Sequence, residues 1–122
     1  MPPSPSRQRA ERSGRRAETL AAWLLRLKLY AICEERYRTP VGEIDLIARR
    51  GDLLVFVEVK ARSSRDYERE AHEAVNRRRL SRAALYYLSR NPALAGCDTR
   101  FDMIFLAPFA WPRHVVNAFD AL

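Results

Sequence analysis

Apolar residues Ala17, Leu20, Ala21, Leu24, Leu27 and Ala31 recur at spacings of three and four, which describes one face of a helix running from Arg15 to between Lys28 and Ala31. Ile32 to Tyr37 then reads as a short strand. Thr39-Pro40 closes it, because proline removes a ladder donor, and Gly42 permits an unusual turn. Glu43 to Ala48 alternates, with Ile44, Leu46 and Ala48 on one side and Glu43, Asp45 and Ile47 on the other. Arg49 to Asp52 is a turn, and Leu53 to Ala61 a long β-rich run whose Val55, Val57 and Val59 oppose Leu54, Phe56, Glu58 and Lys60. The two runs make a hairpin.

After a loop over Ser63 to Asp66, helical spacing returns from about Ala71 through Val75, Leu80, Ala84, Tyr87 and Leu88, until Asn91-Pro92 stops it. Phe101 to Leu106 is apolar on both faces, as a strand covered on both sides requires. Reached through a helical crossover, it is expected to lie parallel to an earlier strand. His114 to Phe119 adds an edge strand. The expected fold is therefore a single α/β domain with an α-β-β-β-α-β core, its mixed sheet flanked by helices. The 122 residues suit one core rather than two.

Charge adds a partner to this picture. The chain holds 22 basic and 15 acidic residues, a sum of +7, and 20 of the 22 are arginine. Residues 1–16 carry five arginines against Glu11, a local +4, which leaves +3 for the rest. Residues 1–14, with three prolines, read as a disordered basic tail and 15–122 as the folded domain. Arg15 and Arg16 at their junction, and Arg77, Arg78 and Arg79 on the second helix, are candidate contacts to a polyanion. Arginine-rich composition also arises from GC-rich coding, so charge alone identifies no partner.

The longest unbroken apolar stretches, Leu20 to Leu25 and Ala83 to Leu88, are six residues each, whereas a membrane span needs roughly 20. No membrane association is expected. Cys33 and Cys97 lie far apart with no neighbouring Cys or His at ligand spacing, which suggests neither zinc nor a disulfide framework and fits the cytoplasm.

Candidate chemistry lies on the hairpin. Glu58 and Lys60 stand side by side at the end of an otherwise apolar strand, and hairpin pairing brings Asp45 towards Glu58. An isolated Glu-x-Lys is an ordinary ion pair. Two converging carboxylates are different, because they repel unless one takes a proton or a cation lies between them. Hard oxygen ligands without His or Cys favour Mg²⁺ or Mn²⁺. Lys60 beside them suits orienting a water or balancing charge on a phosphate. Asp45, Glu58 and Lys60 together read as a site for phosphodiester hydrolysis.

Glu43-Ile44-Asp45-Leu46-Ile47 and Val57-Glu58-Val59-Lys60-Ala61-Arg62 resemble the two core motifs of the PD-(D/E)xK nuclease superfamily. More narrowly, the chain resembles the YraN-like bacterial family. The likeness takes in Gly14-x-x-x-Glu18, Arg38-Thr39, Arg100-Phe101-Asp102 and His114-Val115-Val116-Asn117-Ala118-Phe119. The resemblance implies a restriction endonuclease-like fold related to Holliday junction resolvases. It also implies metal binding by Asp45, Glu58 and the backbone carbonyl of Val59, with Glu18 as an ancillary carboxylate and Lys60 assisting a water that displaces the 3′ oxygen. DNA, branched or structured, is then the expected substrate in preference to RNA, and a homodimer would suit symmetric cutting of two strands. Where the family carries a lysine on its second helix, this chain has Arg77-Arg78-Arg79, and arginine is a poor proton donor.

Two other readings stand beside the nuclease. The same fold could bind nucleic acid through arginines without cutting it, or the chain could be an interaction protein whose Glu58 and Lys60 form a plain salt bridge. Glu43 reads as a solvated hairpin residue, His72 and His114 as structural or surface histidines, and Trp23, Trp111, Tyr86 and Tyr87 as core or helix-packing groups.

Overall fold

Five strands lie side by side in chain order, and one crossover sets their directions. In the computed structural model, which describes residues 5–61 and 73–119 and the side chains of 15–61 and 77–119, helix α1 (Pro5–Leu27) is followed by β1 (Ala31–Thr39), β2 (Gly42–Arg50) and β3 (Leu53–Lys60). Helix α2 (Glu73–Arg90), a short 3-10 turn (Pro92–Leu94), β4 (Asp98–Phe105) and β5 (Arg113–Phe119) complete the chain. β1, β2 and β3 are antiparallel, β4 runs parallel to β3, and β5 returns antiparallel to β4. The mixed sheet and its helical crossover agree with the sequence pattern. The loop over 63–66, His72 and the side chain of Val75 lie outside the described residues.

The strands that carry apolar residues on both faces are covered on both faces. On one side Leu80, Ala83, Ala84 and Tyr87 of α2 pack on Ile47, Leu54, Phe56 and Phe101. The rings of Phe56 and Phe101 stack at 5.5 Å, and Phe101 and Phe119 at 5.2 Å. On the other side Ala21, Ala22 and Leu25 of α1 pack on Leu46, Ala48, Val55, Val57 and Ile104. Full burial of a side chain such as Phe56 or Leu25 contributes about 1.5–3 kcal/mol. The result is a three-layer α/β domain with the sheet in the middle.

Four features depart from the sequence reading. Helix α1 begins at Pro5, so the stretch read as a disordered tail is helical from that residue onward. Proline is tolerated in a first helical turn, where its missing N–H would have no partner anyway. The buried stripe of α1 runs through Ala17, Ala21 and Leu25, and Leu20 and Leu27 are exposed; small alanines let the helix approach the sheet, and this rotates the larger residues outward. Trp23 and Trp111 are exposed rather than packed in the core. Finally, Ile44 packs with Ile47 on the α2 side while Leu46 faces α1, which breaks the alternation predicted for β2.

That break has a local cause. β1 pairs Glu35 with Leu46 and Tyr37 with Ile44, leaving Arg36 and Asp45 facing one another, and Arg36 is left-handed with φ 53°. A bulky residue in that region kinks its strand. A second irregularity between Ile32 and Glu34 adds to the twist of this edge.

Both helices end on identifiable caps. At the C-terminus of α1 the Tyr30 N–H donates to the Leu25 carbonyl and the Leu29 N–H to that of Arg26, both at 3.0 Å, with Leu29 at φ 73°. This is the Schellman arrangement, with leucine where glycine is usual. The Asn91 side-chain amide donates to the Tyr87 carbonyl at 2.8 Å and closes α2 before Pro92.

Asp102 lies on β4 beside Val57 of the central strand, fully buried. Arg100 donates to both its oxygens at 2.8 and 2.7 Å, the Asn117 N–H donates at 2.9 Å, and His114 Nε2 lies 2.7 Å away. Lys28 Nζ stands 2.9 Å from His114 Nδ1. An ammonium can only donate, so Nδ1 accepts and the Nε2–H donates to Asp102. Arg100 also donates to the Tyr30 hydroxyl at 2.8 Å. Burial raises the Asp102 carboxyl, but the bonds from His114, Arg100 and Asn117 outweigh it and hold it at about 2. The network ties β4 and β5 to the cap of α1, a structural role for His114.

Candidate functional site

The β2–β3 ladder runs from Arg50↔Leu53 to Leu46↔Val57 and stops there. One more step in register would set Asp45 opposite Glu58. Instead the strands part, and Asp45 bridges the gap by accepting the Val59 N–H at its Oδ2, 2.8 Å away. The hairpin predicted from sequence thus brings Asp45 to Glu58 and Val59 as a fork rather than a continued ladder. At Val59 the group engaged by Asp45 is the amide.

Glu58 and Lys60 point the same way from β3, with Nζ 2.9 Å from Oε1 and both side chains mostly buried. Glu18 reaches the same region from α1, where its Oε2 lies 2.9 Å from Arg36 Nε. Arg36 is thereby both the residue facing Asp45 across the β1–β2 ladder and the counter-ion of Glu18. Nothing in the spacing of Glu34-Glu35-Arg36-Tyr37-Arg38 singles it out, because its partners come from other elements.

The carboxyl of Asp45 is pushed up to about 7. Burial is the main cause; Glu18 and Glu58 raise it further, while the Val59 N–H and Lys60 pull it down without restoring an ordinary value. Burial also raises Glu18, more than Arg36 lowers it, and Glu43 and Glu35 add to the rise. Asp45 therefore feels the charge of two neighbouring carboxylates across the fork.

A cavity of about 230 Å³ opens beside it, lined by Gly42, Glu43, Asp45, Glu58, Arg79 and Leu80. Its wall depends on Gly42. A Cβ there would stand 2.8 Å from the Arg79 carbonyl oxygen, so a glycine allows the start of β2 to lie against α2. Glu43 is exposed, as read from sequence, with Arg38 3.8 Å away.

The arginines divide. Arg79 lines the cavity and Arg78 is exposed, whereas Arg77 lies over the Phe119 ring at 5.3 Å. Arg15 and Arg16 are exposed on α1, and Arg15 is close enough to Glu18 to lower its pKa.

Among the described residues no three His, Cys, Asp or Glu side chains form a cage able to hold a metal unaided. A Mg²⁺ site does not require one, since that ion keeps several waters and takes one or two carboxylates plus substrate phosphate. The fork offers such a set: a partly buried carboxyl driven towards neutrality by desolvation first and by two neighbours of its own charge second, which a divalent cation would relieve. The donors are oxygens only, which suits Mg²⁺ or Mn²⁺. No described helix is long and apolar enough to cross a membrane.

Residues 17–106 match the profile of a family described as "Uncharacterised protein family UPF0102". A UPF0102 protein of Mesorhizobium japonicum is 54% identical over 117 residues, covering 96% of this chain and 94% of its own length. One from Chelativorans sp. is 51% identical over 116 residues, covering 95% and 94%. Another, from Paramagnetospirillum magneticum, is 47% identical over 121 residues, covering 96% and 94%.

Proposed function

The chain belongs to the uncharacterised protein family UPF0102, and we propose that it is a metal-dependent endonuclease of the PD-(D/E)xK kind that hydrolyses phosphodiester bonds in DNA, with branched or structured DNA as its substrate. One observation carries this reading: Asp45 is partly buried at a strand fork beside Glu58 and Glu18, with its carboxyl at about 7. A carboxylate so disfavoured alone is well matched to a cation and a phosphate.

Asp45 and Glu58 would hold Mg²⁺ or Mn²⁺, with the Val59 carbonyl as a further oxygen and Glu18 as an ancillary group. The ion would supply positive charge against the phosphate. Lys60, paired with Glu58 at 2.9 Å, would orient the attacking water and balance the charge that builds on the phosphoryl oxygens. The water oxygen bonds to phosphorus as the bond to the 3′ oxygen breaks, and that oxygen leaves with a proton as a hydroxyl. Arg79 at the cavity rim would hold a neighbouring phosphate.

The test is a panel of linear, flapped and four-way DNA and the matching RNA, incubated with Mn²⁺ beside Glu58→Ala. Cleavage of at least one DNA by the parent and none by the variant is the expected result. No cleavage of any substrate, or equal cleavage by both, overturns the reading.

The Glu58–Lys60 ion pair itself favours a second reading, in which the carboxylates are structural and the fold binds nucleic acid without cutting. Binding that weakens steeply with salt but is indifferent to Mn²⁺ would mark that case.

A further inference from the structure

The loop between β4 and β5 presents its aromatic residues to solvent. Trp111 is 93% exposed and Phe109 fully so, whereas large aromatic side chains ordinarily bury much of their surface. Phe109 is left-handed, with φ 60°, a conformation uncommon for a bulky residue. Pro108 and Pro112 bracket the pair, and their fixed φ angles limit the freedom of the loop. Strain and stiffness here hold two rings outward, although burying them would be the cheaper arrangement for a chain with no use for them.

Beside this loop runs a groove of about 330 Å³, whose lining includes Arg16, Leu20, Ala61, Leu106, Pro108 and Pro112. Its lining residues neighbour those of the candidate site along the chain. Ala61 directly follows Lys60, Ala17 in the groove wall directly precedes Glu18, and the Leu106 N–H donates to the Lys60 carbonyl at 2.8 Å. Its charge is positive: Arg16 lies in the wall, with Arg15 and Arg113 exposed on the elements that border it. An apolar floor, exposed rings and arginines on segments that also carry the carboxylate fork match the chemistry of a nucleic-acid strand whose bases are free to stack and whose phosphates need countercharge.

We propose that Phe109 and Trp111 form a stacking platform for unpaired bases, with Arg15 and Arg16 holding the backbone along the groove, so that the site takes DNA containing a single-stranded segment. The inference deepens the nuclease reading and rests on it for the meaning of the adjoining fork. A blunt duplex keeps its bases stacked inside and offers these rings little. A flap, gap or junction arm presents bases that can reach them.

The test measures binding apart from cleavage, using the full chain in EDTA with a fluorescein-labelled twelve-nucleotide oligo(dT) and a blunt duplex of the same length. Trp111→Ala should weaken oligo(dT) binding about tenfold, within the span expected for one lost stacking contact. Trp111→Phe should retain most of it, and duplex binding should change less than about twofold. In a Trp23→Phe background, oligo(dT) should quench the remaining Trp111 fluorescence. An unchanged affinity for oligo(dT), or equal losses on oligo(dT) and duplex, overturns the proposal. So does a Trp111→Ala variant that loses binding to anionic phosphatidylglycerol vesicles, or loses self-association, while its oligo(dT) affinity stays intact. Cleavage by the parent, abolished in Glu58→Ala, combined with unchanged oligo(dT) binding by Trp111→Ala rejects the platform and keeps the nuclease. The reverse pattern rejects the nuclease and keeps the platform.

Discussion

The Asp45 carboxylate accepts the Val59 N–H at 2.8 Å, one step beyond the last ladder pair of β2 and β3, so a side chain takes over where the backbone pairing ends. The bond holds the fork open at a fixed width and confines a carboxyl in a space where burial and two like charges oppose its ionisation. Site geometry and site electrostatics share this one residue.

A pH signature follows. Asp45 titrates at about 7 in the fold against an ordinary 3.8, so between those values the folded chain holds a proton that the unfolded chain has lost. Stability from this group therefore falls as pH rises from about 4 to 7, and the penalty is constant above that. Asp45→Asn keeps an acceptor for Val59 and removes the charge. It should match the parent at pH 4 and exceed it at pH 8 by on the order of 2–4 kcal/mol, read by urea unfolding at the two values. A difference that does not change with pH would disprove the assignment.

Gly42 should tolerate nothing larger. In Gly42→Ala the new Cβ would meet the Arg79 carbonyl at 2.8 Å, and the contact is with backbone, which cannot swing aside. A loss of about 1–3 kcal/mol is expected, together with a shift of α2 away from β2. Unchanged unfolding midpoints for this variant would show that α2 gives way freely.

Leu29 offers the opposite sign. It holds φ 73° in the cap of α1 and is 81% exposed, so glycine would relieve the backbone while giving up little burial. Leu29→Gly should gain roughly 1 kcal/mol, with no gain for Leu29→Ala. Thermal melts of the two variants decide it, and a destabilised glycine variant would count against the cap described above.

Asp102→Asn should be among the most damaging single changes. It leaves the Arg100 guanidinium without its carboxylate partner inside the fold, a loss of about 3–5 kcal/mol by analogy with broken buried pairs. Because the carboxyl sits at about 2, below the ordinary 3.8, its stabilising effect is complete above about pH 4 and disappears as pH falls through 2. The gap between parent and variant should therefore narrow at the acid end of a pH series of unfolding curves. A gap that stayed constant down to pH 2 would argue that Asp102 is held by something other than its charge.

The sequence by itself determined the elements and their order, the hairpin, the parallel crossover and the gathering of Asp45, Glu58 and Lys60. Each of these follows from local rules: the period of a helix or strand, the stops at Pro40 and Pro92, and the short turn after Arg49 that brings neighbouring strands together. Tertiary structure alone decided which face of α1 is buried, since both Leu20 and Leu25 fit a helical stripe and packing against the sheet chose Leu25. It also turned Arg36 towards Glu18, kinked β1 opposite Asp45, and joined Lys28, Tyr30, Arg100 and His114 around Asp102 across separations of up to 86 residues. Trp23 and Trp111 reached the surface for the same reason. Periodicity is a property of the local backbone, but a side chain's partner depends on which distant segments pack beside it, and only the folded chain supplies them.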